Sequence, residues 1–394
     1  MKVEQVYELV NDATKQWLGE ETVLAKDLSN VVDFGVAVFN ATDVDNYVKS
    51  LVDRIGKVIF VNRSFSGAVP SVLMDAWEFG SVLQKISADL PEAVENESWK
   101  LENGTSYDPN VFNGATVEAK FFNKKVTFEI DLSFTQLQVQ ESFTSATQLN
   151  SFLSMLFNEV DKAMTIKIDS LIMDTINYMI ASTVKADYGS NAQGNSSGVK
   201  AVNLLYLYNQ RFTGAGDTPL TADKALTTPE FVRFAAYTMG LYEDRMKRIT
   251  KLFNINGKAR FTPSDMLHKV MLSDFKAAAD AYLQSDTFHN EFTRLPDAET
   301  VPFWQGSGTG YAFADVSKII VKLETTDVSA FTVGGVLGIF FDRDALGVCN
   351  QDRRVQSYFN PKAEFYNNFY KFDCSNFVDP SEQAVVFFVA DATE

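Results

Sequence analysis

A stretch of forty residues constrains the fold of this chain more than any other feature. Residues 145–184 contain neither glycine nor proline, and apolar side chains recur in them every three or four positions. This spacing predicts an amphipathic helix, and Ser145 with Gln148 has the pattern of a capping box at its start. At 1.5 Å per residue the helix would be on the order of 60 Å long. We therefore expect it to run as a spine across the molecule.

Two strands are predicted just before this helix. Thr116–Phe122 and Lys125–Gln138 are separated by Asn123 and Lys124, which predicts a hairpin. The second strand alternates strictly between apolar and polar residues, so one whole face of it is apolar. Because a lone two-stranded ribbon is marginal in water, that face needs a covering partner. Its apolar residues are Val126, Phe128, Ile130, Leu132 and Phe134.

The remaining pattern mixes helices and strands without regular alternation. Residues 1–30 have the spacing of an amphipathic helical arm, and a chain that returns to strands after helices indicates an α+β fold with interleaved domains. Further helices are predicted at Asp43–Ile55, Pro70–Leu90, Pro229–Phe253 and Ser264–Leu283, and further strands at Val31–Phe39, within 316–341 and at Gln383–Ala390.

Composition narrows the class of protein. The chain is 46% hydrophobic and 22% charged, which is typical of a folded soluble protein. Its 35 Lys and Arg stand against 51 Asp and Glu, a net charge of -16, which disfavours sequence-specific nucleic-acid binding. Two cysteines, no signal-peptide pattern and no apolar stretch near 20 residues predict a protein of the reducing cytoplasm without a membrane span.

Motifs for catalysis, cofactors or metals are not found in the sequence. The two histidines, His268 and His289, lack zinc-ligand spacing, and Cys349 and Cys374 form no C-x-x-C pair. The glycines of 306–310 do not complete a dinucleotide-binding pattern. We therefore predict no catalytic residue, no cofactor and no metal site.

Two basic clusters allow more than one interpretation. Arg245, Lys247, Arg248 and Lys251 lie in the last turns of the helix predicted at Pro229–Phe253, where complementing the helix dipole is favoured over binding an anion. The aromatic and basic residues of 353–377 could stack single-stranded nucleic acid. Acidic neighbours offset that charge, so packing or subunit contact is the favoured use.

Three stretches resemble a known family. They are NATDVDNYVKSLVDRIGKVIFVNRSF, ARFTPSDMLHKVMLSDFKAAADAYLQS, and GVLGIFFDRDALGV with EQAVVFFVA. Together with the arm, the hairpin after an acidic segment, the long helix and the late strands, they resemble the major capsid protein of tailed bacteriophages, which has the HK97-like fold.

The resemblance implies a domain plan. An extended loop would overlap a neighbouring subunit, the long helix would be the spine of a peripheral domain, and the five apolar hairpin residues would form an inter-subunit interface. The implied divisions are an N-terminal arm at 1–40, part of the peripheral domain and the loop base at 41–112, the extended loop hairpin at 113–140, the peripheral domain with its spine helix at 141–253, the axial domain at 254–373 and a strand returning to the peripheral domain at 374–394.

The resemblance also implies a function and partners. The chain would be a structural protein, not an enzyme, that assembles through pentamers and hexamers into an icosahedral shell around double-stranded DNA. Strand-like sequence begins by Val31, so a separate scaffolding protein is expected, along with a portal and decoration proteins. Contact with packaged DNA would be weak and non-specific, no membrane would be involved, and assembly would occur in the host cytoplasm before the shell forms part of the virion.

Three alternatives stay open on sequence alone. An encapsulin-like nanocompartment shell protein could share the fold, although the chain is long for that class. An acidic cytosolic enzyme is disfavoured by the absence of catalytic motifs, and a tail or adhesion protein is disfavoured by the single long helix in mid-chain.

Overall fold

The computed structural model describes residues 69–74, 83–96, 98–110, 112–135, 146–189, 193–214, 217–283, 295–305, 312–323 and 329–392. The elements predicted for the arm and within 31–55 lie outside these residues. They stay predictions.

The described residues form helices and strands in mixed order. The helices are α1 (Ala146–Tyr188), α2 (Leu204–Phe212), α3 (Ala222–Ala225), α4 (Pro229–Met246), α5 (Ser273–Leu283) and α6 (Phe313–Val316), with a short 3-10 helix at Pro70–Val72. The strands are β1 (Leu73–Met74), β2 (Leu83–Ala88), β3 (Val117–Phe122), β4 (Lys125–Thr135), β5 (Ala201–Asn203), β6 (Leu267–Leu272), β7 (Glu299–Val301), β8 (Ile319–Val321), β9 (Phe331–Val333), β10 (Val336–Asp342), β11 (Leu346–Asn360), β12 (Phe365–Val378) and β13 (Ala384–Phe388).

The chain divides into two compact units. The described part of the first unit is 69–74, 125–135, 146–172 and 348–375. The second unit holds the described residues within 79–124, 173–347 and 376–394.

A four-stranded sheet in the order β1-β11-β12-β4 forms the framework of the first unit. β4 pairs antiparallel with β12 along its whole length. On the polar face of this pair, the Thr127 hydroxyl donates to Asp373 Oδ1 at 2.7 Å and Lys371 Nζ lies 3.2 Å from Glu129 Oε2. The polar side chains of the alternating strand therefore make cross-strand contacts within the unit.

The second unit is built on a five-stranded sheet in the order β5-β13-β10-β6-β7. Apolar residues of α2, α4 and α5 pack with those of the sheet into one core, which includes Phe231, Met239 and Phe275 from the helices and Phe340 and Phe387 from the strands. Two smaller sheets, β2-β3 and β8-β9, complete the unit.

The predicted long helix is confirmed, and it ends four residues later than predicted, at Tyr188. Gly189 follows with φ +59°, and its N–H donates to the Lys185 carbonyl at 2.8 Å. A left-handed residue of this kind terminates a helix, and glycine adopts it without steric cost. The predicted helix at Pro229–Phe253 is confirmed as α4, which ends earlier, at Met246.

The predicted hairpin within 113–140 is wrong, although both of its strands exist. β3 pairs with β2 in one sheet and β4 pairs with β12 in another. A two-residue hairpin turn needs positive φ at one or both of its residues, and neither Asn123 nor Lys124 has it. The chain therefore passes from one sheet into another at this point instead of turning back on itself.

Two other predicted helices contain strands. Pro70–Leu90 holds β1 and β2, and Ser264–Leu283 begins with β6 before α5. β6 lies between β10 and β7 and is mostly buried. A short apolar segment of this kind has no period that separates a strand from a helix.

The C-terminal tail is confirmed as a strand, β13, in the sheet of the second unit. β13 pairs with β5, which lies in the range predicted for the peripheral domain, and with β10, which lies in the range predicted for the axial domain. Most of β11 and most of β12 belong to the first unit. The predicted domain divisions stay predictions.

Candidate assembly surface

β2, β3 and the segment that joins them, residues 89–116, form an element that we call the ribbon. The two strands pair antiparallel from Leu83↔Phe122 to Ala88↔Val117. Exposure alternates along both strands, so the ribbon has an outer and an inner face. The outer face carries Gln84, Ile86, Ala88, Val117, Ala119 and Phe121.

The outer face is apolar although it is exposed. Ile86 is 64% exposed, Val117 60% and Phe121 64%. The inner face carries the charged residues Lys85, Glu118 and Lys120. This polarity is the reverse of a strand pair that packs on its own core, in which the apolar face points inward.

The inner face is held by a cluster of charges that we call the ribbon anchor: Lys85, Lys120, Asp379 and Glu382. Lys85 and Lys120 are direct cross-strand partners, an arrangement that is destabilising for like charges alone. Asp379 lies between them, with Oδ2 3.0 Å from Lys85 Nζ and Oδ1 2.8 Å from Lys120 Nζ. Lys85 also contacts Glu382 Oε1 at 2.7 Å. The buried carboxylate thus converts a repulsive pair into an attachment point.

Both signs of charge in the ribbon anchor are stabilised. Burial by itself would raise the pKa of Asp379, but hydrogen bonds from Lys120 and the Ser381 N–H, with the charge of Lys85, lower that pKa below its usual value. Burial by itself would lower the pKa of Lys85, but Glu382 and Asp379 raise it above its usual value. Lys85 and Asp379 therefore favour their charged forms over the neutral pH range.

Replacing Asp379 with Ala is expected to loosen the ribbon. The change leaves two lysines facing each other and removes hydrogen bonds to charged groups, at a cost of about 1.5–3 kcal/mol. We expect faster amide hydrogen exchange in 83–88 and 117–122, with an Asp265→Ala variant as an exposed control. Unchanged exchange in these strands would contradict the role of Asp379.

The contact of Lys85 with Asp379 in the ribbon anchor is expected to weaken at both low and high pH. Because the pKa of Asp379 is lowered, its contribution is present above about pH 4 and is lost as the pH falls through the lowered value. Because the pKa of Lys85 is raised, its contribution is present below about pH 10 and is lost as the pH rises through the raised value. Exchange in the two strands should therefore be constant between these limits, after correction for the intrinsic rate.

Further contacts fix the base of the ribbon. Lys258 Nζ lies 2.9 Å from Asp89 Oδ1 and 3.3 Å from Glu118 Oε2. The rings of Phe122 and Phe377 are 5.3 Å apart between centroids. The base is thus attached to the second unit by both ionic and aromatic contacts.

The rest of the ribbon is not covered by any other residue that the structure describes. Every described residue from 90 to 117 is exposed. Nine of the twenty large apolar side chains that are exposed in the described chain lie in the ribbon, and Phe112, at 92%, is the most exposed of them. Exposed apolar side chains that cluster in this way are typical of interaction sites. The nine are Ile86, Leu90, Val94, Trp99, Leu101, Tyr107, Phe112, Val117 and Phe121.

Local hydrogen bonds give the tip of the ribbon a defined shape. Trp99 Nε1 donates to the Asn96 carbonyl at 3.1 Å, and the Lys100 ammonium lies 4.7 Å from the centroid of the Trp99 ring. The Glu102 N–H donates to the Tyr107 hydroxyl at 3.1 Å. The tip therefore presents ordered aromatic side chains to solvent.

The predicted interface residues lie elsewhere, on β4. Val126, Phe128, Ile130 and Leu132 are each half-buried on one face of the strand, and the backbone of Phe134 pairs with Tyr366. The Phe128 ring is 6.5 Å from that of Phe372, its cross-strand partner on β12. Part of this face is therefore covered within the subunit. The rest of the apolar face of β4 is exposed, and its role as an inter-subunit interface stays a prediction.

Sequence reasoning missed the outer face of the ribbon. Alternation was visible in β3, but β2 was predicted as part of a helix, so Ile86 had no assigned face. The signal that could have found it is the pairing of two short alternating segments on either side of an acidic, turn-rich segment.

Among the described residues, no group of three or more His, Cys, Asp or Glu side chains could hold a metal ion. No helix in the described part of the chain is long and apolar enough to span a membrane. The aromatic residues of β12 are used in packing, since Tyr366, Tyr370 and Phe372 are buried.

Comparison with solved structures identifies the fold. The chain is similar to a protein in the capsid structure of Staphylococcus phage Andhra, with 8% identity and a TM-score of 0.51, over 84% of this chain and 86% of that one. It is also similar to a protein in the capsid structure of the cyanophage P-SCSP1u, with 10% identity and a TM-score of 0.46, over 84% and 91% of the two chains. The match to the Andhra protein, with a TM-score above 0.5, identifies the fold as the HK97-like fold of phage capsid subunits.

Comparison with protein families places the chain within that class. The sequence profile of the Phi29-like phage major capsid protein family matches residues 7–388, and the chain belongs to this family. It is a structural protein of the phage head shell and not an enzyme. A comparison with curated protein sequences finds no significant match.

Proposed function

We propose that the ribbon is the element through which each subunit covers its neighbour in the shell. The observation that carries this proposal is the reversed polarity of the ribbon. Charged residues attach its inner face to the rest of the second unit, and its outer face and joining segment expose large apolar side chains. A neighbouring subunit would bury these side chains, each at a gain of roughly 1.5–3 kcal/mol when burial is complete.

This proposal moves the extended loop from residues 113–140 to residues 83–122. The shift keeps the predicted role, a two-stranded element that overlaps a neighbour, and changes its strands. The remaining domain divisions and the inter-subunit role of the β4 face stay predictions.

We also propose the finer features of the assembly. Subunits would associate as pentamers and hexamers in an icosahedral shell around double-stranded DNA, with a separate scaffolding protein, a portal and decoration proteins as partners. Assembly would take place in the host cytoplasm. The net charge of -16 supports only weak, non-specific contact with the packaged DNA. Membership of a phage capsid family favours this function over a nanocompartment shell.

The experiment is to purify the chain, alone and after co-expression with its scaffolding protein, and to measure sedimentation velocity and negative-stain images. We expect closed shells, or rings of five and six subunits. A monomer that stays dispersed at high concentration under both conditions would contradict the proposal.

A further inference from the structure

The end of α4 and the loop after it form a second surface that is both basic and apolar, residues 245–261, which we call the basic loop. It contains six Lys and Arg and no Asp or Glu. The loop is closed by antiparallel bridging of Thr250 with Arg260. Two residues of the basic loop, Met246 and Phe253, are buried in the core of the second unit and hold the loop against that core.

The basic loop carries positive charges beyond the last turn of α4, where the helix dipole acts. A dipole acts on charges within the last turn of a helix, and α4 ends at Met246. Arg248 and Lys251 lie beyond that end, are exposed, and form no ion pair with any residue that the structure describes. The dipole interpretation therefore does not account for Lys251, which lies five residues beyond the end of α4.

Three large apolar side chains accompany the free charges. Ile249 is 57% exposed, Leu252 58% and Phe261 51%. A partner that satisfies this surface must offer negative charge and apolar area together. Duplex DNA supplies the charge through its phosphates but leaves the three apolar side chains without contacts.

The joining segment of the ribbon has the complementary composition. Residues 90–116 contain five acidic residues against one lysine, interleaved with exposed apolar residues such as Leu90, Val94 and Leu101. The basic loop already contacts ribbon acids within the same chain, because Lys258 binds Asp89 and Glu118 at the ribbon base. The acids farther along, among them Glu92 and Glu95, are exposed.

We infer that the basic loop of one subunit receives the acidic joining segment of the ribbon of a second copy of this chain. The inference rests on the proposed function and adds the receiving surface to it. The contact joins two different surfaces of identical subunits, which is the kind of contact that generates closed rings. Opposite charges would direct the encounter, and the apolar side chains would supply area to bury.

The test is a charge swap. In a variant with Arg248→Glu and Lys251→Glu we expect the rate of shell assembly to fall on the order of tenfold, because two attractions become repulsions. Adding Glu92→Lys and Glu95→Lys in the same chain should restore most of the rate. A control with Lys224→Glu and Lys318→Glu, which changes the net charge equally at exposed positions, should assemble like the wild type. Circular dichroism checks that all variants fold.

Salt and DNA measurements complete the test. The difference between the Arg248→Glu, Lys251→Glu variant and the wild type should shrink towards 1 M NaCl, where the Debye length is about 3 Å. Normal assembly of this variant, or failure of the swap to restore the rate, would overturn the inference. If the variant instead loses only DNA binding, the occupant is DNA and the inference is also overturned. In each of these outcomes, the wild-type chain still forms shells, so the proposed function would stand even if the inference is overturned.

Discussion

Replacing Ile86 with Asp is expected to abolish shell assembly while the subunit stays folded. Ile86 lies at the centre of the apolar outer face, opposite Ala119, and is 64% exposed in the subunit. The substitution removes apolar area that a neighbour would bury and places a charge in that contact, at a combined cost of several kcal/mol per interface. Each subunit carries this contact, so the cost is repeated throughout a shell.

Two measurements separate assembly from folding in this experiment. Thermal unfolding of the unassembled subunit should be within about 0.5 kcal/mol of the wild type, as for most surface substitutions. Sedimentation should show no particles. The conservative Ile86→Val variant should form shells, and normal shells from Ile86→Asp would show that the outer face is not an interface.

Replacing Phe128 with Asp, unlike replacing Ile86 with Asp, is expected to lower the stability of the subunit strongly. The Phe128 ring is half-buried and packs near Phe372 within the four-stranded sheet. A carboxylate there loses that packing and must be desolvated, which we expect to lower the free energy of unfolding by about 2–4 kcal/mol.

Comparing Ile86→Asp with Phe128→Asp tests whether the outer face of the ribbon or the apolar face of β4 contributes more to shell assembly. Urea unfolding of Phe128→Asp and of the apolar control Phe128→Leu measures the effect, and the control should lose much less stability. If Phe128→Asp is as stable as the wild type yet forms no shells, the exposed part of the β4 face is an inter-subunit surface in its own right.

The long helix and the alternating strand could be predicted because their signals are local. The sequence of α1 contains no glycine or proline before its end, and its apolar residues recur every three or four positions within one continuous segment. In β4, the alternation identifies the face that carries Phe128. The last turn of α1, which ends at Tyr188, was not predicted.

Strand partners could not be predicted because pairing is not local. The interval at Asn123 and Lys124 has the length of a hairpin turn, and the strand pairing and backbone dihedral angles show that the chain does not turn there. β4 instead pairs with β12, more than two hundred residues later in the chain. The length of β12 was hidden because aromatic residues such as Phe369 and Tyr370 occupy both of its faces.

The ribbon anchor depends on the same distant contacts. Nothing near Lys85 or Lys120 in the sequence indicates that Asp379 lies between them. The sequence therefore indicated an apolar face in need of a neighbour on β4, whose inter-subunit role stays a prediction. The outer face of the ribbon could not be recognised without knowing which faces the chain covers by itself.

Electron cryomicroscopy of the assembled shell tests the central claim most directly. We predict that the outer face of each ribbon, with Ile86, Val117 and Phe121, lies within about 4.5 Å of apolar atoms of a neighbouring subunit. A map in which this face is open to solvent, or packs on its own subunit, would contradict the claim.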